Sequence, residues 1–227
     1  MFGLFKHRFK GLEKEVSSLS LHNPVGLSSH TEGFRYRQVN GMGFGFVTLT
    51  PDNRNLLEWI QRLAADREEG TLFAVNLNQD IERSFSLVYD FADFIIIDTD
   101  SNNGIDSSDL ADIPILIDEL LNLRLCYEYL TPIFVRLPAV LTDEEMQSVL
   151  SYCQLSGING IVCSGLSTVK KVLDLTLRRM PVIGTATSIE EAAAMLQEGA
   201  SLIEMDTRPQ AALKLLKTLE KEAKKHD

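Results

Sequence analysis

The chain has 227 residues, and its 32 acidic side chains outnumber 22 basic ones, which gives a formal net charge of −10. This charge excludes a general nucleic-acid binder, because neutralising phosphates requires a basic face, and it argues against an anionic membrane as the main partner. The length predicts one domain. No apolar run approaches the roughly 18 residues of a membrane-spanning helix, so no transmembrane segment is predicted.

Residues 1–22 are interpreted as an N-terminal leader segment, with a helix expected over residues 12–17. The leader starts with apolar residues that are followed by several basic ones. This pattern has two interpretations, a weak membrane contact through Met1 to Lys10 or a frayed terminus, and we favour the second.

Eight short runs rich in Val, Ile, Leu and Phe come next, and a helix-like run follows each of them. Runs without polar alternation are typical of strands buried on both faces, as in a parallel sheet. Eight β/α units are typical of a (β/α)₈ barrel, so residues 23–227 are predicted to form a single compact TIM barrel of the α/β class. The predicted strands are residues 24–29, 45–50, 71–78, 92–100, 132–139, 158–164, 181–187 and 200–207.

Capping signals mark the predicted helices between these strands. Thr142 lies three residues before Glu145, which is the spacing of a capping box, and Gly199 follows the seventh helix as a C-terminal cap would. The sixth helix is expected to end on Arg178 and Arg179, where basic side chains complement the helix dipole. The helices are residues 32–40, 50–65, 80–90, 107–123, a stretch beginning at 142, 167–179, 188–198 and 209–225.

The cysteines and histidines offer no metal chemistry. Cys126, Cys153 and Cys163 lie far apart without a CxxC pair, which indicates free thiols in a reducing, cytoplasmic compartment. Cys163 is interpreted as a small core residue and not as a nucleophile. No residues have the spacing of metal ligands, so no metal site is predicted.

Short motifs at the ends of all eight strands occur in an order that resembles a known family. The first reads Asn23-Pro24-Val25-Gly26-Leu27, and the others lie within residues 43–51, 74–77, 92–103, 135–145, 157–162, 181–184 and 199–204. In this order they resemble the dihydroorotate dehydrogenases, especially the membrane-associated, quinone-using class. The resemblance covers nearly everything after residue 22 and implies an FMN-binding barrel that oxidises dihydroorotate in pyrimidine biosynthesis.

The chain departs from this family at the residues that carry its chemistry. Residues 29–33 lack the family's flavin-binding lysine, and Arg136 replaces the lysine on strand five, for which it is not equivalent. Strand seven ends in Gly184-Thr185-Ala186-Thr187 and so lacks the Gly-Gly pair on which, by the resemblance, the FMN phosphate rests. The family's catalytic loop after strand four is shortened, so no catalytic residue is assigned, and Ser107 and Ser108 are interpreted as helix caps.

Two sets of residues are candidates at the C-terminal ends of the strands, where such barrels place their chemistry. If the flavin still binds, the resemblance implies contacts from Ser28, Asn76, Arg136, Gly184, Thr185 and Thr207. The second set, a ligand site or a buried core pair, is Asp98, Asn103, Arg136, Glu204, Asp206 and Arg208.

Arg136 and Asp98 are expected to pair, because strands four and five are neighbours. One interpretation is a remodelled ligand site whose arginine recognises an anion. The other, which we favour, is a salt bridge that filled the barrel centre once the flavin was lost, since a lone buried charge is too costly.

The sequence therefore favours a non-catalytic binding protein that has lost FMN binding and dihydroorotate oxidation. Its partner would be a small anion or another protein, and no cofactor is expected. The alternative is an active FMN-dependent oxidoreductase of the dihydroorotate dehydrogenase type with altered flavin or substrate contacts. A third hypothesis is a partner subunit that packs on another barrel.

Overall fold

The structure, a computed structural model, describes residues 9–28, 42–50, 70–99 and 112–225. Within them lies a closed barrel of eight parallel strands, which confirms the predicted TIM barrel. Two short strands, β1 (Lys14–Val16) and β2 (Leu19–Leu21), precede the barrel. The barrel consists of β3 (Val25–Ser28), β4 (Phe46–Leu49), β5 (Leu72–Leu77), β6 (Phe94–Asp98), β7 (Ile133–Arg136), β8 (Gly160–Ser164), β9 (Val182–Ala186) and β10 (Leu202–Met205).

Each barrel strand pairs with its sequence neighbour, and β10 closes the ring by pairing with β3. All eight lie inside the predicted apolar runs, and almost every strand residue is buried. This follows from their composition, because a parallel strand faces the barrel interior on one side and the surrounding helices on the other.

The described helices lie around the barrel in the predicted alternation. They are α1 (Ile81–Val88), α2 (Asp112–Arg124), α3 (Asp143–Ser156), α4 (Leu166–Leu175), α5 (Ile189–Glu198) and α6 (Pro209–Ala223). The capping box of Thr142 and Glu145 is present, and Gly199 ends α5 with a φ of 113°. The predicted helices over 32–40 and 50–65 lie outside the described residues, except for Thr50.

Two of the sequence expectations are wrong. The sixth helix ends at Leu175 and not on the arginine pair, because Leu177 and Arg178 take left-handed backbone conformations that stop it. The helix expected over 12–17 is instead the antiparallel hairpin of β1 and β2, which turns at Ser17.

Two apolar layers build the core. The outer layer lies between the strands and the helices, and the inner layer fills the barrel. Phe46, Phe94 and Phe134 lie in contact across the interior with ring centroids 5.6 and 5.4 Å apart, in edge-to-face arrangements that aromatic pairs prefer. Val16, Leu19 and Leu21 of the hairpin belong to this inner layer and close the N-terminal end of the barrel.

Candidate functional site

The barrel interior changes from apolar to polar toward the C-terminal ends of the strands. Side chains on alternate residues of a strand face the same side, so the residues two positions after the interior phenylalanines also face inward. These are Thr48, Ile96 and Arg136. A polar layer of five side chains from five strands lies here, composed of Asn76, Asp98, Arg136, Thr185 and Glu204.

Arg136 is the centre of this layer. Its Nη2 donates to Oε2 of Glu204 at 2.8 Å, and its Nη1 donates to Oγ1 of Thr185 at 3.0 Å. Because β7 and β10 are not neighbours, the contact with Glu204 crosses the barrel interior. The Thr185 hydroxyl donates to the same Oε2 at 2.9 Å, so one carboxylate oxygen of Glu204 holds two donors.

Arg136 also reaches back toward β5 and β6. Its Nε donates to Oδ1 of Asn76 at 3.3 Å and lies 3.6 Å from Oδ2 of Asp98. Asn76 donates in turn to Oδ2 of Asp98 at 2.8 Å. Every nitrogen of the guanidinium therefore already has a protein acceptor, which is the geometry its planar fork is suited to.

The pKa values follow from burial and charge together. Burial by itself disfavours the charged form of Arg136, but the charges of Glu204, Asp98 and Asp206 outweigh it and raise the pKa of Arg136. Burial likewise opposes ionisation of Glu204, yet the Arg136 charge and the surrounding donors hold the pKa of Glu204 below its usual value. Both groups are therefore charged at neutral pH.

Three buried oxygen atoms, one in this layer and two on inward-facing residues of β3 and β4, form no hydrogen bond of normal geometry with the described residues. They are Oγ of Ser28, Oγ1 of Thr48 and Oε1 of Glu204. The Thr48 hydroxyl nevertheless interacts with the Glu204 carboxylate and helps to lower the pKa of Glu204.

The structure separates the other predicted site residues from this layer. Gly184 faces outward, because a methyl group there would lie 2.6 Å from Sδ of Met195 on α5. Asp206 and Arg208 are exposed and Thr207 is half-buried at the start of α6. Asn103 lies outside the described residues.

The start of α5 carries its own anionic cap. The backbone N–H of Glu191 donates to the Ser188 hydroxyl at 3.1 Å, and the Glu191 carboxylate accepts from the backbone N–H of Thr187 at 3.1 Å. Helix N-termini bind anions through such N–H groups. Here the Glu191 carboxylate accepts from one backbone N–H just before the helix, that of Thr187, and the Ser188 hydroxyl accepts from the N–H of Glu191. The next helix, α6, begins with Pro209, which has no N–H to donate.

The two buried cysteines, Cys153 and Cys163, are not reactive thiols. Burial raises the pKa of Cys163 to about 12, with Arg136 opposing the shift, and burial also raises the pKa of Cys153 to about 12. Neither is a thiolate at neutral pH. Among the described residues no cluster of His, Cys, Asp and Glu has the arrangement of a metal site.

Sequence reasoning identified Asp98, Arg136 and Glu204 as residues at the mouth but missed how they connect. It paired Arg136 with Asp98, its neighbour on the adjacent strand, whereas the shorter contact is with Glu204 three strands away. Glu191 was missed as well, although its position three residues after Ser188 is the spacing of a capping box.

Comparison with proteins of known function agrees with the observed fold. No protein-family model matches the chain. The chain is 23% identical to a dihydroorotate dehydrogenase (quinone) from Christiangramia forsetii over 86% of its own length and 79% of that protein. No described helix is both long and apolar enough to cross a membrane.

Two solved structures of dihydroorotate dehydrogenase (DHODH) from Eimeria tenella have the same barrel. The ligand-free structure superposes with a TM-score of 0.77 over 95% of this chain and 88% of that one. The complex with ferulenol gives 0.76 over 95% and 84%, and both are 16% identical in sequence. The resemblance indicated by the strand-end motifs is thus confirmed: the chain is similar to dihydroorotate dehydrogenase (quinone) over most of its sequence and has the fold of that enzyme.

Proposed function

We propose that this chain is a dihydroorotate dehydrogenase-like barrel that has lost FMN binding and dihydroorotate oxidation and acts as a non-catalytic binding protein. The observation that carries the proposal is the start of α5, where the Glu191 carboxylate accepts from the backbone N–H of Thr187. Barrels of this type commonly bind a phosphate beyond their seventh and eighth strands, at a helix N-terminus. In this chain a carboxylate of its own lies at the start of the helix that follows the seventh barrel strand.

The described residues of the mouth do not fit the flavin phosphate in other respects. The side-chain position of Gly184 points toward Met195 on α5, so the missing side chain makes no room at the mouth. Asp98 and Glu204 outnumber the one guanidinium between them, and Asp206 adds a further negative charge close by. A dianion placed there would be repelled by these carboxylates.

The same contacts make a small anion a poor ligand for Arg136, since it would have to displace Glu204. A protein partner is the better match. Leu125, Tyr129 and Leu130, in the segment between α2 and β7, are each more than 60% exposed. Contiguous exposed apolar side chains are typical of interaction surfaces, and these three lie within a segment of six residues.

A flavin titration of the full chain tests the proposal. We expect protein purified without added cofactor to be colourless, and added FMN to show no saturable change in flavin fluorescence. We also expect no oxidation of dihydroorotate with a quinone acceptor, with an authentic dihydroorotate dehydrogenase as positive control. A yellow preparation that turns over dihydroorotate would show that the proposal is wrong.

One observation favours the alternative of an active, FMN-dependent oxidoreductase. The sequence similarity extends over 79% of a relative that is named as a dihydroorotate dehydrogenase (quinone). In that alternative the flavin contacts would come from Ser28, Asn76, Arg136, Thr185 and Thr207, with Arg136 released from Glu204. The same titration distinguishes the two functions, because only the FMN-dependent oxidoreductase is expected to show a flavin absorbance band.

A further inference from the structure

We propose that a second copy of this chain docks on the N-terminal face of the barrel and forms a dimer with two-fold symmetry. The dimer rests on the proposed function, which assigns a protein partner to this side of the molecule, and the second copy is that partner. The mass of the particle in solution reports on it, and that mass can be measured whether or not a flavin binds.

Exposed apolar side chains concentrate on this face. Among the described residues eight large apolar side chains are exposed, and six of them lie at or just after the C-terminal ends of four consecutive helices, α1 to α4. Because each helix runs back along its strand, these positions lie at the N-terminal end of the barrel, away from the mouth. The six, which we call the rim patch, are Phe91, Leu125, Tyr129, Leu130, Leu155 and Leu177. Scattered exposed apolar residues are ordinary, but a concentration on one edge is typical of an interaction surface.

The segment that carries three residues of the rim patch is fixed in place by α1. The Tyr89 hydroxyl, just after α1, donates to the Tyr129 carbonyl at 2.8 Å and accepts from the N–H of Thr131 at 3.0 Å. The rings of Tyr89 and Tyr127 stack with their centroids 3.9 Å apart. This part of the surface is therefore ordered before a partner arrives, which lowers the entropic cost of binding.

Two further hydrogen bonds connect the later helices of this face. Arg124, at the end of α2, donates to Oδ1 of Asn159, which precedes β8, at 3.5 Å. Gln154, near the end of α3, donates to the carbonyl of Thr176, which follows α4, at 3.3 Å. A member of the rim patch lies next in sequence to Arg124, to Gln154 and to Thr176. The patch therefore extends over neighbouring connections of the barrel that are joined to one another.

The charges at the two ends of the rim patch identify the occupant. Asp90 and Glu128 are exposed at the end that begins with α1, and Arg178 and Arg179 are exposed at the end that follows α4. In a two-fold dimer the same surface of both copies meets in reverse, so that each contact occurs twice. The acidic end of one copy then lies against the basic end of the other at both places. A second copy is therefore complementary to the patch in charge as well as in apolar character.

Sedimentation equilibrium of the full chain tests the dimer. We expect a particle of twice the 25.4 kDa of one chain, which dissociates on dilution. A particle that keeps the mass of one chain at every concentration would overturn the proposal. The flavin titration fails separately, because a yellow dimer would contradict only the proposed loss of FMN and a colourless monomer would contradict only the dimer.

A matched pair of variants assigns the dimer to the rim patch. Leu155 and Val140 are both 88% exposed, but Val140 lies between β7 and α3, at the opposite end of the barrel. We expect Leu155→Ser to raise the Kd of the dimer by about tenfold or more, because the side chain is lost from both halves of the interface. Val140→Ser should keep the wild-type Kd. Equal Kd values in the two variants would overturn the assignment.

A charge exchange tests the two-fold arrangement. Glu128→Lys places a basic side chain at the acidic end, and Arg179→Glu places an acidic one at the basic end. Arg178 is left in place because its guanidinium donates to the Glu198 carbonyl. Each variant alone brings like charges together twice, so we expect its Kd to rise by about tenfold or more.

An equimolar mixture of these two variants pairs opposite charges again at both places. We therefore expect the mixture to form a heterodimer with a Kd close to that of the wild type. A mixture that associates as weakly as the separate variants would overturn the two-fold arrangement, and so would wild-type association of each variant alone.

Discussion

Arg136 is the side chain on which the polar layer depends. It joins Asn76 and Asp98 at one side of the barrel to Thr185 and Glu204 at the other. A lysine ammonium at this position could not reach both sides, because its donors lie on a single atom. An arginine at this position is therefore suited to a structural role in the barrel centre.

Arg136→Met should lower the free energy of unfolding by about 3–5 kcal/mol, because it leaves the buried Glu204 carboxylate without its counter-charge. Urea denaturation at neutral pH measures the change. Arg83→Met is the control: Arg83 lies 3.9 Å from Asp80 with 79% of its side chain exposed, and such pairs contribute less than about 1 kcal/mol. Similar losses in the two variants would contradict the role assigned to Arg136.

How far this site could be predicted depends on which contacts are local. The strand ends follow from the apolar runs, so Asp98, Arg136 and Glu204 could be placed at the mouth from sequence. The contact of Arg136 with Glu204 could not, because it depends on the tilt and stagger of the closed barrel. The sequence carries no direct sign of either.

At the scale of the elements, two glycines make room for two interior rings. A methyl group on Gly26 would lie 2.4 Å from the Phe46 ring, and one on Gly160 would lie 2.5 Å from the Phe134 ring and 2.7 Å from the Pro181 carbonyl oxygen. The missing side chain of each glycine thus leaves the space that the phenylalanine ring of the neighbouring strand fills. Neither position has the positive φ that requires glycine in turns, so the requirement is one of packing.

Gly160→Ala should lower the free energy of unfolding by about 1–3 kcal/mol, because the added methyl overpacks a filled interior. In a double-mutant cycle with Phe134→Leu, the smaller side chain should recover part of this loss, with a coupling energy of at least about 0.5 kcal/mol. Chemical denaturation of the four proteins measures it. Strictly additive effects would show that the ring does not limit this position.

The elements differ in how well sequence predicts them. Barrel strands are continuous apolar runs, and their signal comes from burial on both faces, so all eight were found. The β1–β2 hairpin was missed because its two strands have three residues each and its apolar positions are few. It forms by packing against the barrel, and that contact is not visible in its local pattern.

At the scale of the whole molecule, the hairpin completes the inner core. Its apolar side chains lie beneath the ring of phenylalanines, where the barrel would otherwise open to solvent at its N-terminal end. The Ser17 hydroxyl donates to the Asn159 carbonyl at 3.1 Å and fixes the turn to the start of β8. The barrel and the hairpin therefore share one core.

Leu21→Ala should destabilise the whole fold by about 2–5 kcal/mol, because the leucine is 3% exposed and its loss leaves a cavity under the barrel. Ser20→Ala, on the exposed face of the same strand, should change stability by no more than about 0.5 kcal/mol. Urea denaturation followed by circular dichroism compares the two. If the loss in Leu21→Ala is as small as in Ser20→Ala, the hairpin is not part of the cooperative core.

The pairing of β3 with β10 has a consequence for biosynthesis. A nascent chain exposes the unpaired edge of β3 from the time that strand leaves the ribosome until residues as far as Met205 have followed it. Pairings between such distant segments form slowly, and open strand edges and uncovered apolar surface invite association with other chains. The time for which the nascent chain needs chaperones should therefore depend on how soon β10 is synthesised and pairs with β3.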